Sequence, residues 1–338
     1  MNLPLEFILH IEGVFGEAGK EFLANLPAMV EEASQKWDLT DVQPVPTLSY
    51  NFVAFAKRAS TGDSGAIPSK SSTQREVVLK MGVPNREFKS EMAALRLFNG
   101  NGACRLIEYD EEKYWMLLER LKPGIMLVTL EDDEEATFIA ADVMQNIWIS
   151  VESLESASSL ADFREQQTRS QEQAPGLQNF ILLSDWFNGL NRLRARFDGG
   201  TGPFDKKLVE RVETLVKDFF VENHKPVLMH GDFHHYNVLS SERGWLVIDP
   251  KGVIGPAGYE VGPFLLNPWG DLLKIDHHLQ RTKRRIDILH EQLGFERERI
   301  REWGLAHAIL SSWWNMEDHE DWQYASEFAK VIADLDVK

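Results

Sequence analysis

One stretch of the 338-residue chain runs Val227-Leu228-Met229-His230-Gly231-Asp232-Phe233-His234-His235-Tyr236-Asn237-Val238-Leu239. After Ser240–Gly244 it resumes as Trp245-Leu246-Val247-Ile248-Asp249-Pro250-Lys251-Gly252. Short apolar runs bracket a dense polar segment, which reads as strand, loop, strand, turn, strand. Asn237 and Asp249 are equidistant in sequence from Arg243, at the tip of the expected hairpin. Paired positions in such a ribbon lie about 5 Å apart, so an amide oxygen and a carboxylate can converge on one ion. These are hard oxygen donors suited to Mg2+, which takes its remaining ligands from water and phosphate. Asp232, on the loop entering the hairpin, is placed to accept the proton of a hydroxyl aimed at a phosphoryl group.

Two other readings use parts of the same stretch. His230, Asp232, His234 and His235 have the ligand types of a transition-metal hydrolase, but that leaves Asn237 and Asp249 without a role. A satisfied polar loop with core histidines fits any one residue and fits the combination poorly.

Outward from this stretch, the C-terminal two thirds read as mostly helical. Helices are expected over Asp132–Val151, Leu182–Phe197 and Asp205–Phe220, the last carrying Leu208, Val212, Leu215 and Phe219 at helical spacing. The acidic run Glu131–Glu135 suits a helix N-terminus. Arg281–Arg285 reads as a solvated helix face, Trp303, Trp313 and Trp314 as core, and Ser156–Gly176 as a loop or frayed helix. The first third differs. A helix over Leu5–Trp37 precedes strands at Leu48–Ala56 and Glu76–Met81, joined by the Gly/Ser-rich connection Arg58–Ser72. A helix at Arg86–Phe98 stops at Asn99-Gly100, and strands follow at Ala103–Tyr109 and Tyr114–Leu121. Lys122-Pro123-Gly124 marks a boundary, dividing the chain into a sheet-rich unit over 1–120 and a helical unit over 121–338. The expected fold is α+β with two lobes.

Composition narrows the class. The 36 basic and 53 acidic residues give a net charge of −17, which argues against nucleic-acid or anionic-membrane partners and is compatible with a cationic ligand. A single cysteine, Cys104, excludes an internal disulfide and suggests a reducing compartment. With no membrane-spanning run, a soluble cytoplasmic protein is expected.

HGDFHHYN followed by IDPKG resembles the catalytic and metal-binding segments of the aminoglycoside phosphotransferase family, within the protein-kinase-like fold. HGDFHHYNVL, WLVIDPKG, GYEV and FLLNP resemble its streptomycin and hydroxyurea kinase branch. The resemblance implies a small antiparallel-sheet lobe with one key helix, a larger helical lobe, and transfer of the ATP γ-phosphoryl group to a small-molecule hydroxyl. Lys80, ending a strand, would hold the nucleotide phosphates, oriented by Glu91 on the next helix. Glu119 and Leu121 match the hinge whose backbone receives adenine. His230 and His234 would orient the loop around Asp232, and Glu260 would brace it. There is no glycine-rich phosphate loop; Pro46–Asn51 stands in its place, with Ser49 as a phosphate contact. Asp249 is followed by Pro250-Lys251 rather than Phe-Gly, which suits a small-molecule kinase. Asp271, Glu317, Asp318, Glu320 and Asp321 are candidates for binding a cationic acceptor, with solvated faces as the alternative. A catalytically weak nucleotide-binding regulatory protein on the same scaffold is the second functional reading.

Overall fold

In the computed structural model, residues 3–59, 75–154, 176–221, 225–270, 274, 277–318 and 321–337 are described. The expected connection Arg58–Ser72 and the segment Ser156–Gly176 fall almost entirely outside them. Helix α1 (Leu5–Lys36) is broken at Gly16, whose φ of +56° and ψ of −128° leave the helical region. The chain closes up on itself there, and a Cβ on Gly19 would lie 2.3 Å from the Ile11 carbonyl oxygen. Strands β1 (Leu39–Pro44), β2 (Phe52–Arg58), β3 (Arg75–Met81), β4 (Leu106–Asp110) and β5 (Trp115–Glu119) form an antiparallel sheet in the order β1-β2-β3-β5-β4. The expected strand from Leu48 starts only at Phe52, because Ser49–Asn51 bend.

Alternation along β3 sets the lobe. Val77, Leu79 and Met81 join Phe52, Ala54, Trp115 and the α1 residues Phe7, Ile11, Phe22 and Leu26 in one apolar cluster. Lys80, one residue out of phase, belongs to the opposite face, toward α2 (Arg86–Phe98). Helix α2 is N-capped by Asn85 and ends at Asn99, whose φ of +46° is left-handed. Its Phe88, Met92, Leu95 and Phe98 join the larger core of the helical lobe.

Beyond β6 (Pro123–Met126), the larger lobe contains α3 (Asp133–Ile147), α4 (Leu183–Phe187), α5 (Gly189–Arg196), α6 (Lys206–Val221), α7 (Val261–Leu266), α8 (His278–Leu293), α9 (Arg297–Glu317) and α10 (Gln323–Ala333). The expected helix Leu182–Phe197 is two helices meeting at Asn188. Trp303 of α9 stacks on Phe219 of α6, ring centroids 3.6 Å apart. Two small sheets carry the polar stretch. One has β10 (Val238–Ser241) between β11 (Gly244–Val247) and β6; the other orders β7 (Ile149–Ser150), β9 (Val227–Met229), β12 (Val253–Gly255) and β8 (Ile181–Leu182).

The basic run on α8 is not a solvated face throughout. Arg285 is 1% exposed, donates to Asp133 at the start of α3 and to the Asn267 carbonyl at 2.6 Å, and leans on Phe264. The acidic run is divided likewise: Asp132 caps α3, Asp133 pairs with Arg285, and Glu134 pairs with Arg284. Among the described residues, no helix is long and apolar enough to cross a membrane.

Candidate active site

The polar stretch folds back on itself through named bonds. His230 is fully buried; its Nε2 donates to the Ile248 carbonyl at 2.9 Å and its Nδ1 accepts the Asp232 N–H at 3.1 Å. Burial pushes its pKa down to about 4, so the ring is neutral. The Glu260 carboxylate accepts the His230 and Gly231 N–H groups at 2.9 and 2.8 Å. Gly231 has a φ of +88°, and a Cβ there would lie 2.4 Å from Val253 Cγ2, so this position requires glycine. Asn237 donates from Nδ2 to the Asp232 carbonyl at 3.1 Å, and that nitrogen lies 3.2 Å from His234 Nε2. His234 Nε2 is also 3.6 Å from Asp232 Oδ2. Burial opposes ionisation of Asp232, but the interactions with His234 and Lys251 outweigh it and hold the carboxyl well below the usual range.

The hairpin register differs from symmetry about Arg243. Ser241 pairs with Gly244 and Val238 with Val247, because Glu242-Arg243 form a two-residue turn. Asn237 therefore faces Ile248, whose N–H donates to its carbonyl at 2.9 Å, and Asp249 follows one residue later at a φ of +58°. That left-handed step takes Asp249 out of the ribbon to Lys80, with Nζ 2.5 Å from Oδ1. Lys80 Nζ also lies 2.6 and 2.7 Å from the two Glu91 oxygens. Lys80 and Glu91 are both buried. Burial pulls the Lys80 ammonium down, but Asp249 and Glu91 together leave it raised. Burial also raises Glu91, to about 7, against the pull of Lys80. For Asp249 burial is overcome by Lys80 and Lys251, which hold it down to about 2.

Three expected residues stand apart from this cluster. Ser49 is exposed and does not line the adjoining cleft; Tyr50 and Asn51 do. Glu119 accepts the Arg105 N–H at 3.1 Å and pairs with Arg243, while Leu121 is buried at the end of the same segment. Neither lines the cleft.

The His-rich run does not form a transition-metal site. Both His230 nitrogens are bonded within the loop, and His235 stacks on Phe264 at 4.3 Å with its Nε2 3.3 Å from Arg285. Among the described residues, no group of three or more His, Cys, Asp or Glu side chains could hold a metal ion. The donor set at hand, the Asp249 carboxylate and the Asn237 amide oxygen, is hard and incomplete. It fits a magnesium ion that completes its shell with phosphate and water.

A cleft of about 830 Å³ opens beside Asp232. Its walls come from both lobes: Tyr50 and Phe88 from the first, Trp186, Trp269, Trp314 and Asn315 from the second. Of the acidic acceptor candidates, Glu317 and Asp318 line it; Glu317 is held bidentately by Arg192 at 2.9 and 2.8 Å. Asp321 instead bonds the Gln323 N–H at the start of α10, and Asp271 and Glu320 lie outside the described residues. The three tryptophans were not legible as one wall, since they come from separate elements. Val14 and Phe15, at the break in α1, also reach the cleft.

The family model for aminoglycoside/hydroxyurea antibiotic resistance kinases matches residues 56–319. The chain belongs to that family. It is thus a small-molecule kinase of the protein-kinase-like fold. It is 29% identical to streptomycin 6-kinase of Streptomyces glaucescens over 94% of this chain and 92% of that one. Hydroxyurea phosphotransferase of Kitasatospora aureofaciens is also 29% identical, over 95% of this chain and 82% of its own. In fold, the kinase resembles a thermostable mutant of aminoglycoside phosphotransferase APH(4)-Ia, solved as a ternary complex with AMP-PNP and hygromycin B. The TM-score is 0.55 at 16% identity, over 89% of this chain and 96% of that one.

Proposed function

We propose that this kinase transfers the γ-phosphoryl group of ATP, with Mg2+, to a hydroxyl of a small molecule bound in the cleft beside Asp232. The observation that carries the reading is the contact of Lys80 with both Glu91 and Asp249. It joins the sheet lobe to the polar stretch that also holds Asp232 and Asn237. Residues 1–120 would bind the nucleotide, with the backbone of Glu119–Leu121 receiving the adenine edge. Residues 121–338 would supply the catalytic loop and the acceptor wall.

Each side chain then has a task. Asp232 accepts a hydrogen bond from the acceptor hydroxyl and aims its oxygen at the γ-phosphorus. The new O–P bond forms as the bond from phosphorus to the bridging oxygen of ADP breaks, and the hydroxyl proton passes to Asp232. The transition state is loose, so positioning and charge dominate and Asp232 takes the proton as the acceptor oxygen bonds to phosphorus. Lys80, steadied by Glu91, neutralises the non-transferred phosphates. Asn237 and Asp249 would hold magnesium, which supplies charge neutralisation and alignment of the phosphates. His230, His234 and Glu260 keep the loop in shape. The three tryptophans and Asn315 offer apolar faces and hydrogen bonds to an acceptor, while the Arg192 pairing compensates Glu317. The lone thiol of Cys104 is buried and burial pushes its pKa up to about 12, so it has no nucleophilic task in the transfer.

The test is ADP release with Mg-ATP and a panel of streptomycin, hydroxyurea, neutral sugars and amino alcohols. At least one hydroxyl-bearing compound should raise turnover well above acceptor-free hydrolysis. Failure to bind Mg-ATP at all would contradict the reading.

A further inference from the structure

Among the described residues, three basic side chains of the cleft are left without a task by the family resemblance: Arg86, paired with Asp185, Arg192, paired with Glu317, and Lys251. Lys251 lines the cavity together with Gly231, Asp232 and His234. Its backbone is fixed on both sides: its N–H donates to the His230 carbonyl at 2.7 Å, and the next carbonyl, Gly252, accepts Ser90 Oγ from α2 at 2.7 Å. Gly252 itself has a φ of +65°, and a Cβ there would lie 2.5 Å from the Ser90 carbonyl oxygen. The segment is thus wedged between α2 and the catalytic loop, which fixes the backbone from which the Lys251 side chain reaches the cleft.

The charge inventory points the same way. Lys80 is bound to Glu91 and Asp249, on the side assigned to the non-transferred phosphates. Lys251 makes no direct ion pair among the described residues, yet it lies in the field of Asp249, Glu87, Asp232 and Glu91. A loose phosphoryl-transfer transition state spreads negative charge over three equatorial oxygens between donor and acceptor. A cation on the Asp232 side of the cleft is where that charge needs one.

We infer that Lys251 contacts the transferring phosphoryl group and stabilises its charge in the transition state, as a second catalytic cation beside Lys80. This rests on the phosphotransferase reading. It assigns to Lys251 an interaction made with the group in flight, and little with the ADP half of the nucleotide.

Mg-ADP combined with aluminium fluoride mimics that group and needs no acceptor. Wild type should bind Mg-ADP more tightly when aluminium fluoride is present. In Lys251→Met that gain should fall by about 100-fold, the scale of losing one preorganised electrostatic contact. Binding of Mg-ADP alone should stay within about twofold of wild type. Lys251→Arg, which keeps the charge, should recover part of the gain, and melting curves with and without Mg-ADP report whether each variant is folded. Retention of the full gain in Lys251→Met overturns the inference. So does parallel loss of plain Mg-ADP binding, which would make Lys251 a structural counter-ion of Asp249. Wild type that binds no Mg-ADP at all would instead remove the phosphotransferase reading beneath it.

Discussion

His230 must enter the folded state uncharged. Its ring donates to one carbonyl and accepts from one N–H, an arrangement that only the neutral tautomer satisfies. The unfolded chain titrates this group near 6.5, the folded one near 4. The folded state therefore binds fewer protons between those values, and the contribution of His230, complete above 6.5, is lost as pH falls through 4. The displacement corresponds to about 3 kcal/mol. Denaturant titrations of wild type and His230→Asn from pH 7 to pH 4 should show the wild-type advantage shrinking by an amount of this order. A constant difference across that range would mean that the ring does not carry the titration. The same residue-scale logic explains what the sequence made legible. The approach of Asn237 to Asp232 was legible because it is local, an amide five positions on donating to the Asp232 carbonyl, whereas Asp249 leaves the ribbon for Lys80. The exact register was not readable, since a two-residue turn and a three-residue turn differ by one position that spacing alone does not separate.

Among the elements, α8 shows where pattern reading fails. A run of basic residues on a helix ordinarily faces water, and Arg281 and Arg284 remain partly exposed. Arg285 is buried because Asp133, 152 positions earlier, meets it at the start of α3. No local signal announces such a partner. Removing Arg285 leaves the Asp133 carboxylate only the longer contact with Arg281, at 3.7 Å, and strands the Asn267 carbonyl, so Arg285→Ala should cost about 3 kcal/mol of stability. Arg284→Ala, whose pair with Glu134 is exposed, should cost about 1 kcal/mol or less. Equilibrium unfolding of the two variants checks the contrast; equal losses would contradict it. Helix α1 teaches the same lesson, since the spacing of Phe7, Ile8, Ile11 and Phe15 suits a continuous helix and only the backbone freedom of Gly16 permits the break. By contrast, the span of α2 was legible, because its apolar spacing and its left-handed stop at Asn99 are signals within the element; its Asn85 cap is seen only in the structure.

At the scale of the whole molecule, two cores are joined across the cleft by α2, whose apolar face belongs to the larger core while Glu91 holds Lys80 of the sheet. The α+β, two-lobed plan was legible because hydrophobic periodicity changes from alternating to helical along the chain. The cleft was not, since its walls are drawn from both lobes and from α1. We propose that this convergence moves a phosphoryl group, with Asp232 as the acceptor of the proton. The most direct measurement follows ATP with an active acceptor by phosphorus NMR, in wild type, Asp232→Asn and Asp249→Ala, alongside titrations of Mg-ATP binding. Wild type should convert the γ signal into a phosphomonoester. Asp232→Asn should bind Mg-ATP normally yet slow transfer by about 100-fold to 10,000-fold, while Asp249→Ala should lose magnesium-dependent binding. Undiminished phosphomonoester formation by Asp232→Asn would contradict the account.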